Sequence, residues 1–329
     1  MFRTHFLSYK PVLLLVAILP IFACWNAMTR VLLHLAKCEF GTIALIADCR
    51  LQIADCRLQI AADEAIGLGA WVMSVILKSP GEIEAMKAAG QLSAEVLRKV
   101  GELVKPGVST LELDEFAETY IREHGGIPAF KGYGGFPGTI CASVNEQIVH
   151  GIPSKKVVLR DGDILSVDTG ATVDGWVGDN AWTFAVGKIS EQNRKLLKVT
   201  EECMWAGLDC AVAGNHLGDI GHAVQSIAEN AGFGVVREYV GHGVGRSMHE
   251  EPNVPNYGHR HFGLKLQVGM VLAIEPMINM GTRKVLQGKD GWLVSTRDGK
   301  PSAHFEKMVA ITEAGPVILT TEPDHRRPL

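Results

Sequence analysis

Asp168-Thr169-Gly170-Ala171-Thr172-Val173-Asp174-Gly175-Trp176-Val177-Gly178-Asp179 is the stretch whose reading decides the fold. Asp174-Gly175 predicts a two-residue hairpin, because a type I′ turn needs positive φ at both central positions. With the turn there, Val173 faces Trp176, Gly170 faces Asp179 and Asp168 faces Ala181. Side chains alternate along a strand, so Asp168, Gly170 and Asp179 share one face. The two aspartates then become diagonal neighbours, roughly 5–8 Å apart at their β-carbons. Ile164, Leu165, Val167, Ala181, Trp182 and Phe184 flank them, which predicts burial. Two carboxylates that close repel unless a proton or a cation sits between them. Read alone, the pair also fits one aspartate capping a turn and another facing solvent. The rest of the chain separates the two readings.

With 329 residues, the chain is long enough for one large domain or two ordinary ones. Hydrophobic residues at 47% and charged residues at 21% are the balance of a folded globular protein. A formal charge of −4, with no basic run interleaved with aromatics, argues against a nucleic-acid surface. The 7 cysteines are odd in number and include no C-x-x-C pair. That argues against a disulfide framework or a structural zinc site and suits a reducing compartment.

Residues 1–72 differ from the remainder. Arg3 and Lys10 precede an apolar run from Val12 to Cys24, broken by Pro20, in the manner of a secretory signal or weak anchor. The run is short for a spanning helix. IADCRLQ then occurs twice in tandem, at 46–52 and 53–59, too short for a coiled coil. The expectation is an N-terminal extension outside the folded domain, non-native or disordered, with Met73 the better initiator. Membrane contact is expected only if residues 1–24 are a real anchor. The alternative to a cytoplasmic protein is one anchored through residues 11–25.

From Ser79 the chain is well punctuated. Ser79-Pro80-Gly81-Glu82 offers an N-cap, a first-turn proline and a capping-box glutamate. Ile83, Met86, Gly90, Leu97, Val100 and Val104 continue a helical stripe towards Pro106-Gly107. Ser109 and Glu112 form a second capping box, followed by Leu113, Phe116, Ala117, Tyr120 and Ile121 on one face. An echo appears 107 residues later, where Gly107, Glu112, Leu113 and Gly125 match Gly214, Asp219, Ile220 and Gly232. Two further helices are expected over 190–212 and 217–231. Strand-like runs follow each helical pair, at 139–145, 157–159 and 163–186, then at 235–241, 270–279 and 303–320. Two αα-then-β halves predict an α+β domain with internal pseudo-symmetry and a mostly antiparallel sheet.

Further candidate ligands sit at strand ends: His242 among glycines, Glu275 after Met270–Ile274, and Glu306 before Met308 and Val309. A carboxylate beside such apolar runs is costly without a partner. Two Asp, one His and two Glu make a donor set for two oxygen-preferring divalent cations with shared carboxylates.

The segments NEQIVHGIP (145–153), GHGVGRSMHEEP (241–252), AIEPM (273–277) and HFEKMV (304–309), with Asp168 and Asp179, resemble the motifs of type I methionine aminopeptidases. The resemblance covers roughly 73–320, with ligand spacings of 11, 63, 33 and 31 residues. It implies a pita-bread (creatinase/aminopeptidase-like) fold, in which two pseudo-symmetric halves share a curved, mostly antiparallel sheet covered by helices. Residues 73–329 would be the catalytic domain. It also implies a dinuclear metallo-exopeptidase that removes the initiator methionine from nascent proteins when the second residue is small. A metal-bridged water or hydroxide would attack the first peptide bond. By the same resemblance, Asp168, Asp179, His242, Glu275 and Glu306 hold two divalent ions (Co, Mn, Fe or Zn), and Glu306 shuttles the proton. His249 would donate to the scissile carbonyl, and His150 would contact the substrate backbone or the released amine. Tyr133, Phe136, Cys141, Met248 and Trp292 fall at family positions for the methionine pocket, and a flexible thioether suits such a wall. His216, His222, His259, His261 and His304 carry no motif support and are expected to be ordinary core or surface residues.

Two departures stand out. Val177 replaces a histidine that many relatives carry, which bears on local packing and not on the ligand set. No zinc-finger spacing occurs in the extension. Only 25 residues separate His249 from Glu275, too few for the helical insertion of type II enzymes. Nascent polypeptide N termini, met at the ribosome, are the expected partners, and a monomer is expected. A proline-specific aminopeptidase and a silent binding module of the same fold are the competing readings.

Overall fold

The computed structural model describes residues 75–321. The apolar run, the tandem repeat and the first four cysteines lie outside the described residues. Cys141, Cys203 and Cys210 are free thiols.

Both expected capping boxes form. Ser79 opens helix α1 (Pro80–Leu103), its hydroxyl accepting from the Glu82 N–H while Glu82 reaches back to the Ser79 N–H. Ser109 and Glu112 do the same for α2 (Thr110–Glu123). Such reciprocal bonds satisfy donors that a helix start otherwise leaves open. The buried stripe of α1 includes Ile83, Met86, Gly90, Leu97 and Val100, and that of α2 Leu113, Ala117 and Ile121. The second pair is α3 (Glu191–Asp209) and α4 (Leu217–Asn230).

The hairpin pairs Ile164–Val173 with Trp176–Ala185 in the expected register, Val173 opposite Trp176, Gly170 opposite Asp179 and Asp168 opposite Ala181. Asp174 and Gly175 take φ of 50° and 76°, as a type I′ turn requires. Helix α1 lies directly on this ribbon. A β-carbon at Gly178 would come within 2.2 Å of the Ala89 carbonyl oxygen, so only glycine permits that approach. Ser93 donates to the Thr169 carbonyl from within the same contact, at 2.8 Å. The strand carrying Asp168 is therefore fixed by the helix behind it.

Every strand pairing among the described residues is antiparallel. The 107-residue echo extends to the backbone. Gly107 and Gly214 have φ of 94° and 95°, and Gly125 and Gly232 have 76° and 86°. Ile127 pairs with Thr172 and Pro128 with Ala171; at the same offset Gly234 pairs with Asn279 and Val235 with Ile278. The isolated bridge Ser109–Val158 recurs as His216–Lys265. Asp168 and Glu275 thus occupy equivalent positions in two related halves.

Several expected strands are shorter than their apolar runs. Around 157–159 only the Val158 bridge forms, because Gly107 and Leu159 bond to Leu159 and Val108 carbonyls at the entry to α2 and not to a sheet. Within 235–241 pairing is confined to Gly234–Val235 and the start of Gly241–Gly243. The 270–279 run splits into Val271–Ile274 and Met277–Asn279 at Glu275-Pro276, since proline has no N–H for the ladder. The break frees Glu275 from the strand alternation. The 303–320 run likewise splits into Ser302–His304, Lys307–Thr312 and Gly315–Ile318, with Glu306 at the first break.

Candidate active site

Asp168, Asp179, His242, Glu275 and Glu306 line one cleft of about 180 Å³, together with His150 and His249. The hairpin supplies the two aspartates. Glu306 is placed beside them by its own backbone, its N–H donating to the Ala181 carbonyl at 2.9 Å. His242 lies in Gly241–Gly243, where its Nδ1 is 2.9 Å from the Gly243 carbonyl. A carbonyl only accepts, so Nδ1 carries the proton and Nε2 presents a lone pair to the cleft. That Nε2 is 3.6 Å from Asp179 Oδ2 and 3.4 Å from Glu275 Oε1.

Four carboxylates in one buried place are a large unfavourable charge. Burial, then the Asp179 charge, holds Asp168 well above the carboxylate range, and burial raises Asp179 to about 7. Glu275 and Glu306 are pushed up by burial and then by the neighbouring acids. Asp168 Oδ1, Asp179 Oδ1 and Glu306 Oε1 are buried without a hydrogen-bond partner among the described residues. Orphaned oxygens converging with an available imidazole nitrogen are the donor set of a divalent cation. Donor atoms of Asp179, His242 and Glu306 all lie within 4.8 Å of one another. The residues present fit such an ion.

Burial favours the neutral form of His242 and His249. Burial, then His249, lowers His242 to about 4, and burial lowers His249. His249 Nδ1 sits 2.8 Å from the Tyr133 hydroxyl. His150 takes φ of 60°, and its ring lies edge-on to Trp292. Tyr133, Phe136, Cys141, Met248 and Trp292 all reach the cleft. Phe136 and Trp292 meet edge to face at 5.1 Å. Burial, then Asp168, keeps the Cys141 thiol well above its usual range, so this wall is uncharged. Val177 is buried and its N–H donates to the Gly245 carbonyl, so the departure there is absorbed by packing.

The sequence left out two residues of the cleft's surroundings. Phe130 is part of the apolar wall. Its signal was the aromatic spacing Phe130, Tyr133, Phe136. His304, expected to be ordinary, is 1% exposed and places Nε2 3.5 Å from Glu275 Oε2. Glu275 lies between two imidazoles, one facing each oxygen, and His304 Nε2 makes no hydrogen bond among the described residues.

The loop carrying Met248 and His249 is anchored from outside the cleft. Glu250 accepts from the Arg246 and Ser247 N–H groups and pairs with Lys78, the two side chains 8% and 2% exposed. Lys78 is tied in turn to Gly269 by its N–H. Breaking a buried ion pair leaves an uncompensated charge, so Lys78→Met is expected to destabilise the chain by about 3–5 kcal/mol. Denaturant unfolding of the variant reads that loss; a change below about 1 kcal/mol would place the pair among weak surface pairs.

A family model for metallopeptidase family M24 matches residues 84–313. A methionine aminopeptidase of Clostridium acetobutylicum is 53% identical over 246 residues, covering 75% of this chain and 98% of that protein. Methionine aminopeptidase 1 of Bacillus subtilis is also 53% identical, over 75% and 99%. The solved methionine aminopeptidase of Thermotoga maritima superposes with a TM-score of 0.74 at 44% identity, covering 76% of this chain and all of that one. A prolidase of Pyrococcus furiosus shares the fold at TM-score 0.60 and 23% identity, over 77% and 66%. The chain belongs to metallopeptidase family M24 and, within it, to the methionine aminopeptidases.

Proposed function

We propose that this chain, through a catalytic domain spanning 73–329, excises the initiator methionine from nascent polypeptides whose second residue is small. The cytoplasm, where such chains emerge from the ribosome, is the proposed setting. Residues 1–72 would be an extension to that domain. No helix among the described residues is long and apolar enough to cross a membrane. The observation that carries the reading is the junction of five donors, Asp179, His242 and Glu306 among them buried, with an uncharged aromatic and sulfur wall in one cleft.

Asp168, Asp179, His242, Glu275 and Glu306 would hold two divalent cations there. When bound, they supply Lewis-acid polarisation of a carbonyl and a water ionised near neutral pH. Glu306 would accept a proton from the attacking water and return it to the leaving amine. The Tyr133 hydroxyl donating to Nδ1 would leave His249 with an Nε2 proton for the scissile carbonyl oxygen. His150, beside Trp292, would meet the substrate backbone or the departing amine. Phe130, Phe136, Cys141, Met248 and Trp292 would hold the methionine side chain, where a thioether packs against rings and sulfur without leaving a polar atom unpaired.

Assay of Met-Ala-Ser and Xaa-Pro peptides with added Mn, Co, Fe or Zn tests the reading. Release of methionine from Met-Ala-Ser alone is expected. Cleavage confined to Xaa-Pro would make the chain proline-specific, and no hydrolysis with any metal would make it a binding module.

His304 adds a residue-level expectation. A donor behind a ligating carboxylate fixes its orientation, and losing one commonly weakens metal binding about 10–100-fold. His304→Leu is expected to show that loss in Mn(II) affinity, and His304→Gln, which keeps an N–H donor, to recover most of it. Equal affinity in all three proteins would leave His304 as core packing.

A further inference from the structure

Away from the cleft, α4 begins in an unusual way. The first half of the fold caps α2 with Ser109 and Glu112; at the equivalent place the second half has His216 and Asp219. The segment 259–266 folds back over this helix start. Leu217 and Gly218 donate to the carbonyls of Leu264 and Phe262. Asp219 joins the two strands of chain, Oδ2 accepting the His216 N–H at 2.8 Å and Oδ1 the His261 N–H at 2.9 Å. The imidazoles of the same two residues return to the same carboxylate. His216 Nδ1 lies 3.7 Å from Oδ2 and His261 Nδ1 3.7 Å from Oδ1.

We propose that His216, Asp219 and His261 form a second divalent-metal site of this chain, an open one suited to a borderline transition ion such as Zn(II). Each Asp219 oxygen accepts one backbone N–H and keeps a further lone pair. One donor atom from each residue lies within 4.8 Å of the others. Tetrahedral Zn(II) with bonds near 2.1 Å holds neighbouring ligands roughly 3.4 Å apart, so each imidazole needs to approach its Asp219 oxygen by a few tenths of an ångström, and the exposed His261 ring swings in to close the rest of the triad. His216 Nδ1 is buried and has no hydrogen-bond partner among the described residues, although the rest of its side chain is partly open. An orphan nitrogen facing a carboxylate is what an ion would satisfy. The positive end of α4 opposes a cation here, and the Asp219 charge offsets it. His261 is held at φ 60°, with a side chain 81% exposed, so water completes the coordination and the ion enters from solvent. Bound metal would clasp the 259–266 segment to the start of α4.

The test is Zn(II) binding to the full-length enzyme already loaded and active, read by calorimetry and by metal content after gel filtration. The parent is expected to take up one more ion per chain than His261→Ala, and to gain thermal stability with Zn(II) that the variant does not. His261 is exposed, so this variant folds; His216→Ala with His261→Ala provides a second loss. Methionine release is expected to be unchanged in both variants, which separates this site from the cleft. Equal Zn(II) uptake and equal stabilisation in parent and variants would overturn the proposal and leave an ion pair at a helix cap.

Discussion

Replacing Asp179 with Asn is expected to move activity and stability in opposite directions. Methionine release should fall by about a thousandfold or more, because a metal centre contributes several kcal/mol to the transition state and about 1.4 kcal/mol is tenfold in rate. The metal-free variant should nevertheless be more stable than the metal-free parent at pH 8. Asp179 ionises near 3.8 in an unfolded chain and is raised to about 7 in the fold, with burial as the cause. Between those values folding must take up a proton, so this group costs the metal-free parent stability as pH rises through that window. Asp168, Glu275 and Glu306 are raised as well and carry the loss further in the same direction. A carboxylate held several pH units from its ordinary value corresponds to a few kcal/mol, the scale of the gain expected for Asn. Thermal melts of chelator-treated parent and variant between pH 5 and 8 check the sign. A parent that is flat across that range would mean that the four acids are not forced together.

Glu306→Gln is the second large effect. Glutamine preserves the shape but neither takes up nor delivers a proton near neutrality. General acid–base catalysis is worth roughly 10²–10⁴-fold, so kcat at saturating metal and peptide should fall by that factor while KM changes little. The backbone bond from Glu306 to Ala181 does not involve the side chain, so the residue's position is preserved. Near-parental kcat at saturating metal would move the proton to another group.

Legibility in the sequence followed locality. The hairpin register could be read residue by residue because a two-residue turn fixes it, and the capping boxes because each is closed within four residues. The faint echo between halves was visible in four residues, yet its structural content, strand pairings repeated at one offset, needed the backbone. Short ladders escaped. Gln147–Val149 pairs with Val294–Thr296 far along the chain, and three-residue strands carry no usable alternation. Glu275 and Glu306 read as strand ends, but that each sits at a break turned towards the hairpin was not legible. His304 was passed over because its partner, Glu275, lies 29 positions earlier and meets it only through the pairing of Met277 with His304. Tyr133 was read as pocket wall; its bond to His249 depends on a loop approach that no local pattern encodes.

Equilibrium dialysis of chelator-stripped parent and Asp179→Asn against Mn(II), followed by Met-Ala-Ser assay of each sample, tests the metal centre most directly. The expected result is that the parent retains more Mn(II) than the variant and releases methionine only when loaded. Equal metal content in the two proteins, or methionine release by stripped parent holding no ion, would contradict it.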